Sequence, residues 1–193
     1  HGARAGVHYL VTEWLDGESL LARLARDRLP LADALILARR IADALAAVHA
    51  RGIVHRDLKP SNLFLVGGDA ARAVLLDFGI AFVDGPVASA TRTGTLLGTP
   101  AYMAPEQARG ERGVDARADV FALGCVLYEA LTGAPPFGGE HLVGVLGKVL
   151  FAEPTPIDAL APDAPPGLCA LITRMLAKDR RARPADGGAV RDA

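Results

Sequence analysis

The chain has almost no cysteine, no excess charge of either sign and no long apolar run, and each absence removes a class of function. Cys125 and Cys169 are its only two cysteines. They lie far apart and form no CxxC or Cys/His ligand spacing. Both read as small apolar residues buried in a reducing compartment rather than as a disulfide. The 21 basic and 22 acidic residues leave a net charge of −1, which indicates neither a nucleic-acid groove nor an acidic tail. No stretch reaches the roughly 18 apolar residues that mark a membrane span. No signal-peptide layout opens the chain, and no repeat of solenoid period occurs. The first residue is His1 rather than Met, so a processed, trimmed or fragmentary polypeptide is expected.

What is present is a folding composition. Of 193 residues, 51% are apolar and the mean hydropathy is +0.25, enough for one domain with a proper core. YLVTEWL (9–15) reads as a strand closed by Asp16-Gly17. From Pro30 onward, Leu31, Leu35, Ala38, Ile41, Leu45 and Val48 recur at helical spacing, with Gly52 as a C-cap. Leu63–Val66 and Ala73–Leu76 read as a β-hairpin about the turn 67–69. Residues 84–99, rich in Gly, Ser, Thr and Ala, read as a long functional or disordered loop. Asp119–Leu131 is a helix buried on most sides and stopped by Gly133 and Pro135-Pro136. A weaker helix follows over 141–152, then a proline-rich irregular stretch (154–166) and an amphipathic helix, Leu168–Lys178. DRRARPAD is expected to end the ordered region. The fold class is α+β, mostly helical with a small β element.

The chemistry concentrates in IVHRDLKPSNLFL (53–65). Arg56 and Lys59 are cations at neutral pH, and Asp57 between them is an anion. A carboxylate beside an ammonium suits phosphoryl transfer, in which the acid orients a hydroxyl nucleophile while the cation neutralises the phosphate under attack. The Asn62 amide oxygen is a hard ligand suited to Mg²⁺. Fifteen residues on, Asp77-Phe78-Gly79 follows the apolar run AVLL and supplies a second hard oxygen, with Gly79 permitting the turn. Either acid alone reads as a solvated loop residue; the ordered set does not.

This set resembles the protein kinases, the family whose motifs and phosphoryl-transfer mechanism are well described. HRDLKPSN (55–62) is similar to the catalytic loop and DFG (77–79) to the magnesium-binding turn. GTPAYMAPEQ (98–107) resembles the end of the activation loop, DVFALGCVLYE (119–129) the central buried helix, and Arg183 in DRRARP a late arginine of the family. Lys59 two residues after the acid and Thr99 after the loop glycine resemble the serine/threonine branch. The alanine-rich loop sequence resembles its bacterial, eukaryotic-like (Hanks-type) members.

The resemblance implies a kinase transferring the ATP γ-phosphate to Ser/Thr of proteins, with ATP and Mg²⁺ as cofactors and protein substrates as partners. By it, Asp57 orients the substrate hydroxyl and accepts its proton late. Lys59 contacts the γ-phosphate, Asn62 and Asp77 hold Mg²⁺, and Thr99 positions a Ser/Thr substrate. Glu13 and Leu15 meet adenine through their backbones, Thr12 is the gatekeeper and Phe64 lies under the ring. His55 and Phe78 stack in a spine anchored by Asp119, and Glu106 pairs with Arg183. Thr91 and Thr93 are candidate phosphorylation sites, and a phosphate there could pair with Arg56. Phe82 stands where many relatives have a basic residue that helps hold that phosphate. His8, His49 and His141 have no ligand spacing and read as surface or packing residues.

One part of the pattern is missing. No G-x-G-x-x-G precedes Glu13, and no strand lysine of the VAIK type occurs. The expectation is therefore a partial kinase domain over 1–193, hinge and C-terminal lobe, with the N-terminal β-lobe missing and negligible activity alone. The alternative is a pseudokinase-like binding or scaffold module, with a small-molecule phosphotransferase as a third option. A cytoplasmic location is expected, with any membrane anchor of the parent outside this segment. Dimerisation of the parent through the missing lobe is a further expectation.

Overall fold

A computed structural model describes residues 2–4, 7–9, 11–77 and 100–193. Phe78, Thr91, Thr93 and Thr99, with the loop expected over 84–99, lie outside the described residues. Two short strands come first, β1 (Gly2–Arg4) and β2 (Val7–Tyr9), paired antiparallel. The strand expected over 9–15 is not formed: β2 ends at Tyr9, and residues 11–16 have no regular structure. Composition favours a strand there, but among the described residues no neighbour pairs with it, and a lone strand is not stable.

Pairing resumes at Gly17, which the sequence suggested as a turn. Strand β3 (Gly17–Ser19) lies antiparallel to β4 (Leu63–Val66), which pairs on its other edge with β5 (Ala73–Leu75). Gly17 sits at φ 147°, and a Cβ there would collide with the Leu65 carbonyl oxygen. Only glycine lets β3 approach this closely. The expected hairpin is thus the central strand and one edge strand of a three-stranded sheet. Its connection is a single 3₁₀ turn (Ala70–Arg72) capped by the Asp69 carboxylate, which accepts from the Ala71 N–H at 2.8 Å.

After α1 (Leu20–Leu24), helix α2 runs Leu31–His49. Its buried face is Ala34, Leu37, Ile41, Ala42 and Leu45, while Leu35 is 42% exposed. The stripe is rotated from the one read off the sequence because two alanines, weak in hydropathy, are where neighbouring helices come close. Following the short α3 (Pro105–Ala108), helix α4 (Ala116–Thr132) is the core: every residue from Ala118 to Leu131 is buried. It starts three residues before the expected Asp119 because the Asp115 carboxylate caps it, accepting from the Arg117 N–H. It stops at Gly133, which adopts φ 84°.

Helices α5 (Leu142–Phe151), α6 (Ile157–Leu160) and α7 (Pro166–Met175) follow. The proline-rich stretch thus holds a helical turn. Order does not end with DRRARPAD either: α8 (Gly187–Arg191) comes after it and packs on α2. Cys125 is buried in α4 and Cys169 partly buried in α7, both as free thiols. Among the described residues, no helix is long and apolar enough to cross a membrane.

Lys178 closes the α5 end of this core. Its ammonium donates to the carbonyls of Val149 (2.8 Å) and Lys148 (3.3 Å) and lies 3.7 Å from the centre of the Phe137 ring. Phe137 in turn stacks on Phe121 at 5.9 Å. A cation suits a helix C-terminus, but burial pushes the Lys178 amine down to about 8. Below that pH both folded and unfolded chains carry the proton. Between about 8 and the unfolded value near 10.4 only the unfolded chain does, so stability contributed by this site rises with pH. Partial solvation discounts the effect to about 1 kcal/mol. Denaturant melts at pH 7.5 and 9.5 should show the stability of the native chain growing relative to Lys178→Met by this amount. The difference removes the common titrations of tyrosines and other lysines, and a gap unchanged with pH would refute the assignment.

Candidate active site

The loop 53–62 leaves α2 and returns to the sheet at β4, so its side chains gather at one end of the sheet. It is pinned from beneath by Asp119 at the start of α4. The Asp119 Oδ2 accepts the His55 N–H at 2.7 Å and Oδ1 accepts the Arg56 N–H at 2.8 Å. Arg56 adopts φ 66°, a left-handed conformation costing an L-residue about 1–2 kcal/mol. It persists because both sides are held: its N–H by Asp119, and its carbonyl by the Gln107 amide of α3 at 2.9 Å. His55 is fully buried; one ring nitrogen accepts the Asp57 N–H at 3.2 Å and the other donates to the Leu76 carbonyl at 2.9 Å.

This kink brings together three of the side chains that the sequence singles out. Asp57 Oδ2 accepts from the Lys59 ammonium at 2.8 Å and from the Asn62 amide nitrogen at 3.1 Å. The same nitrogen donates to the Asp57 carbonyl at 2.8 Å. Asn62 is only 7% exposed, so its amide orientation is fixed. With Nδ2 turned to Asp57, Oδ1 accepts, among the described residues, from the Ser61 hydroxyl alone, at 3.4 Å.

Asp77 is placed beside Asn62 by the backbone. The Leu76 N–H donates to the Asn62 carbonyl at 2.8 Å, extending the β4–β5 ladder by one residue. Asp77 then turns out of the strand at φ 51° and is exposed. An amide oxygen and a carboxylate on adjacent chain segments fit a hard divalent cation that keeps its remaining positions for phosphate and water.

Other residues singled out by the sequence lie around this centre or away from it. Phe64 is half-buried on β4 between Ser19 and Val74. Thr12 and Glu13 are exposed and Leu15 is half-buried. The backbones of Glu13 and Leu15 bond to no other described residue. Val11 and Trp14 flank them at 75% and 93% exposure. The Arg56 guanidinium forms no hydrogen bond or ion pair among the described residues.

A cleft of about 550 Å³ is lined by Lys59 and Ser61 together with Ala101, Glu140, Leu142 and Val145. Glu106 and Arg183 form a buried, two-pronged ion pair at 2.7 and 2.9 Å.

Several contacts around the site have no signal in the sequence. The His49 side chain is buried and bonds Asp119 at 2.9 Å. Gln107 holds Arg56. Tyr102 donates to Glu129 at 2.6 Å inside the core, where burial pushes both groups above their ordinary ranges. The partners are 27 to 70 residues apart, so spacing could not have found them.

The model of the protein kinase domain matches residues 4–191. Serine/threonine-protein kinase Pkn1 of Myxococcus xanthus is 44% identical over 189 residues, covering 96% of this chain and 27% of that protein. PknB of Mycolicibacterium smegmatis is 42% identical over 179 residues, covering 89% and 27%. PkaA of Streptomyces coelicolor is 45% identical over 180 residues, covering 91% and 32%. The chain thus spans about a third or less of the length of these curated relatives. With a whole-length family match and relatives of this kind, the chain belongs to the protein kinase family, among its bacterial Hanks-type serine/threonine members.

Proposed function

We propose that this chain supplies the catalytic loop and metal-binding turn for transfer of the ATP γ-phosphoryl group to Ser or Thr of a protein substrate. The observation that carries the reading is the Asp57–Lys59–Asn62 cluster, in which one carboxylate oxygen is shared by an ammonium and an amide. Asp57 keeps its other oxygen for a substrate hydroxyl and takes that proton late, as the new O–P bond forms and the bond to the ADP oxygen breaks. Lys59 is held within reach of the transferred group and offsets its charge. Asn62 Oδ1 and the Asp77 carboxylate are the residues that would hold Mg²⁺, which when bound neutralises the nucleotide phosphates. The backbones of Glu13 and Leu15 offer bonds to adenine, Phe64 a face beneath it, and the cleft beside Lys59 room for a polypeptide. Thr99 positions the substrate serine or threonine. Phosphorylation of Thr91 or Thr93 gives the Arg56 guanidinium a partner.

The 193 residues alone are proposed to transfer phosphate negligibly, since they contain no glycine-rich loop and no strand lysine. Each lost charge contact of that kind costs about 10²–10³ in rate. The test is radiolabel transfer from γ-labelled ATP to a mixed Ser/Thr substrate. The chain alone is expected to give background. The chain joined behind a complete β-lobe from a family member is expected to label, and to lose labelling when Mg²⁺ is chelated. A folded fusion that binds ATP but never labels protein would favour the scaffold alternative.

A further inference from the structure

We propose that His49 is a positioning residue for the Asp57 loop, acting through Asp119 and tying that loop to helix α8. The proposal rests on the phosphotransfer reading for its catalytic consequence, but not for its geometry. His49 ends α2, and its side chain is 3% exposed. Its two ring nitrogens have different partners. Nδ1 accepts the Gly187 N–H at 3.1 Å, and Nε2 lies 2.9 Å from Asp119 Oδ2. A nitrogen that accepts a hydrogen bond carries no proton, so these partners assign the ring proton to Nε2, donated to Asp119.

That donation has a consequence two bonds away. The torsion that turns a carboxylate about its stem is soft. Asp119 must present Oδ1 to the Arg56 N–H and Oδ2 to the His55 N–H together. His49 approaches the same Oδ2 from α2 and fixes the plane in which both oxygens meet the loop. The Asp57 N–H is in turn bonded to the His55 ring, so the path from His49 reaches the reacting carboxylate through groups that each have a defined partner.

The other end of the path is α8. Gly187 opens that helix, and its N–H is one of those a helix start leaves unpaired. A Cβ at Gly187 would stand 2.5 Å from the Ala46 nitrogen and 2.6 Å from the Ala42 oxygen. Glycine therefore lets α8 sit directly on the α2 backbone, within reach of the His49 ring. A shift of α8 would release Nδ1 first and the Asp119 plane next.

Two isosteric replacements separate the ends of the path. The amide nitrogen of His49→Gln can occupy the place of Nε2 and keep the donor to Asp119. The amide oxygen of His49→Asn can occupy the place of Nδ1 and keep only the acceptor for Gly187. Amide hydrogen exchange on the chain should show the His55 and Arg56 N–H groups losing about tenfold protection in His49→Asn, measured against the α4 amides, as expected for a lost bond to a charged group. In His49→Gln their protection should stay within about threefold of the native chain. Nitrogen NMR of the native ring should find the proton on Nε2. Equal loss in both variants, tracking global stability, would reduce His49 to packing. A ring proton on Nδ1 would overturn the proposal without any variant. In the fusion with a β-lobe, kcat should fall in His49→Asn with the KM for ATP unchanged. If the unmutated fusion does not label protein, the kinase reading fails while the exchange result still decides the role of His49.

Discussion

Replacing Arg183 by methionine should destabilise the chain by about 3–5 kcal/mol, the cost of leaving a buried charge without its partner. All five guanidinium N–H bonds are used. Nε donates to the Ala177 carbonyl at 2.7 Å, Nη1 to Glu106 at 2.7 Å and the Arg117 carbonyl at 3.1 Å, and Nη2 to Glu106 at 2.9 Å and the Lys178 carbonyl at 3.2 Å. The guanidinium also lies 4.8 Å from the centre of the Phe121 ring in the core helix. Methionine fills the volume but strands the Glu106 carboxylate, 3% exposed, and three carbonyls. Lysine, a point charge with three donors, should recover only part of the loss. The double variant Glu106→Leu, Arg183→Met should be more stable than Arg183→Met alone, because the stranded anion goes with its partner. Urea melts of the four proteins check this. Equal stability of the single and double variants would mean the pair contributes no charge coupling. The effect should extend to the site, because Glu106 stands beside Gln107 in α3, and Gln107 holds the Arg56 carbonyl.

What the sequence made legible was local. Asp57, Lys59 and Asn62 lie within six positions, and the fold needs only one kinked loop to bring them together. The hairpin of β4 and β5 was legible for the same reason, since its turn signal and both strands are contiguous. The central helix was legible because fourteen consecutive buried residues leave no other reading. What was not legible depends on distant partners. Whether 9–15 becomes a strand is decided by what lies beside it, and Gly17 after Asp16 reads as a turn although its missing Cβ serves strand contact. Hydropathy puts Leu35 in the α2 stripe, whereas close packing selects Ala34 and Ala42 instead. Helix α8 has no signal in the sequence because GGAVR has poor helix propensity. It holds through the Asp186 cap, which accepts from the Ala189 N–H at 2.9 Å, and through its fit on α2. The role of His49 is invisible in the sequence because its partners, Asp119 and Gly187, are 70 and 138 residues away.

Asp57→Asn in the fusion with a complete β-lobe should lower kcat by about 10²–10⁴, the range for removing a positioned general base. Binding of ATP and the melting temperature should barely change. The reason lies in which oxygen is shared. Oδ2 accepts from both Lys59 and Asn62, and an asparagine oxygen in that place can accept from both as well. The amide nitrogen then faces the substrate side, where it can donate to a hydroxyl but cannot take its proton. The substitution therefore leaves the scaffold and removes the chemistry. Asp57→Ala removes both, freeing the Lys59 ammonium and one of the two bonds of the buried Asn62 amide, so it should also lower the melting temperature. Transfer rates and thermal melts on the same two proteins separate the roles. A rate loss at unchanged stability in Asp57→Asn assigns Asp57 to proton transfer. A rate unchanged in Asp57→Asn would mean that the carboxylate only orders its loop, and that the late proton leaves by another route.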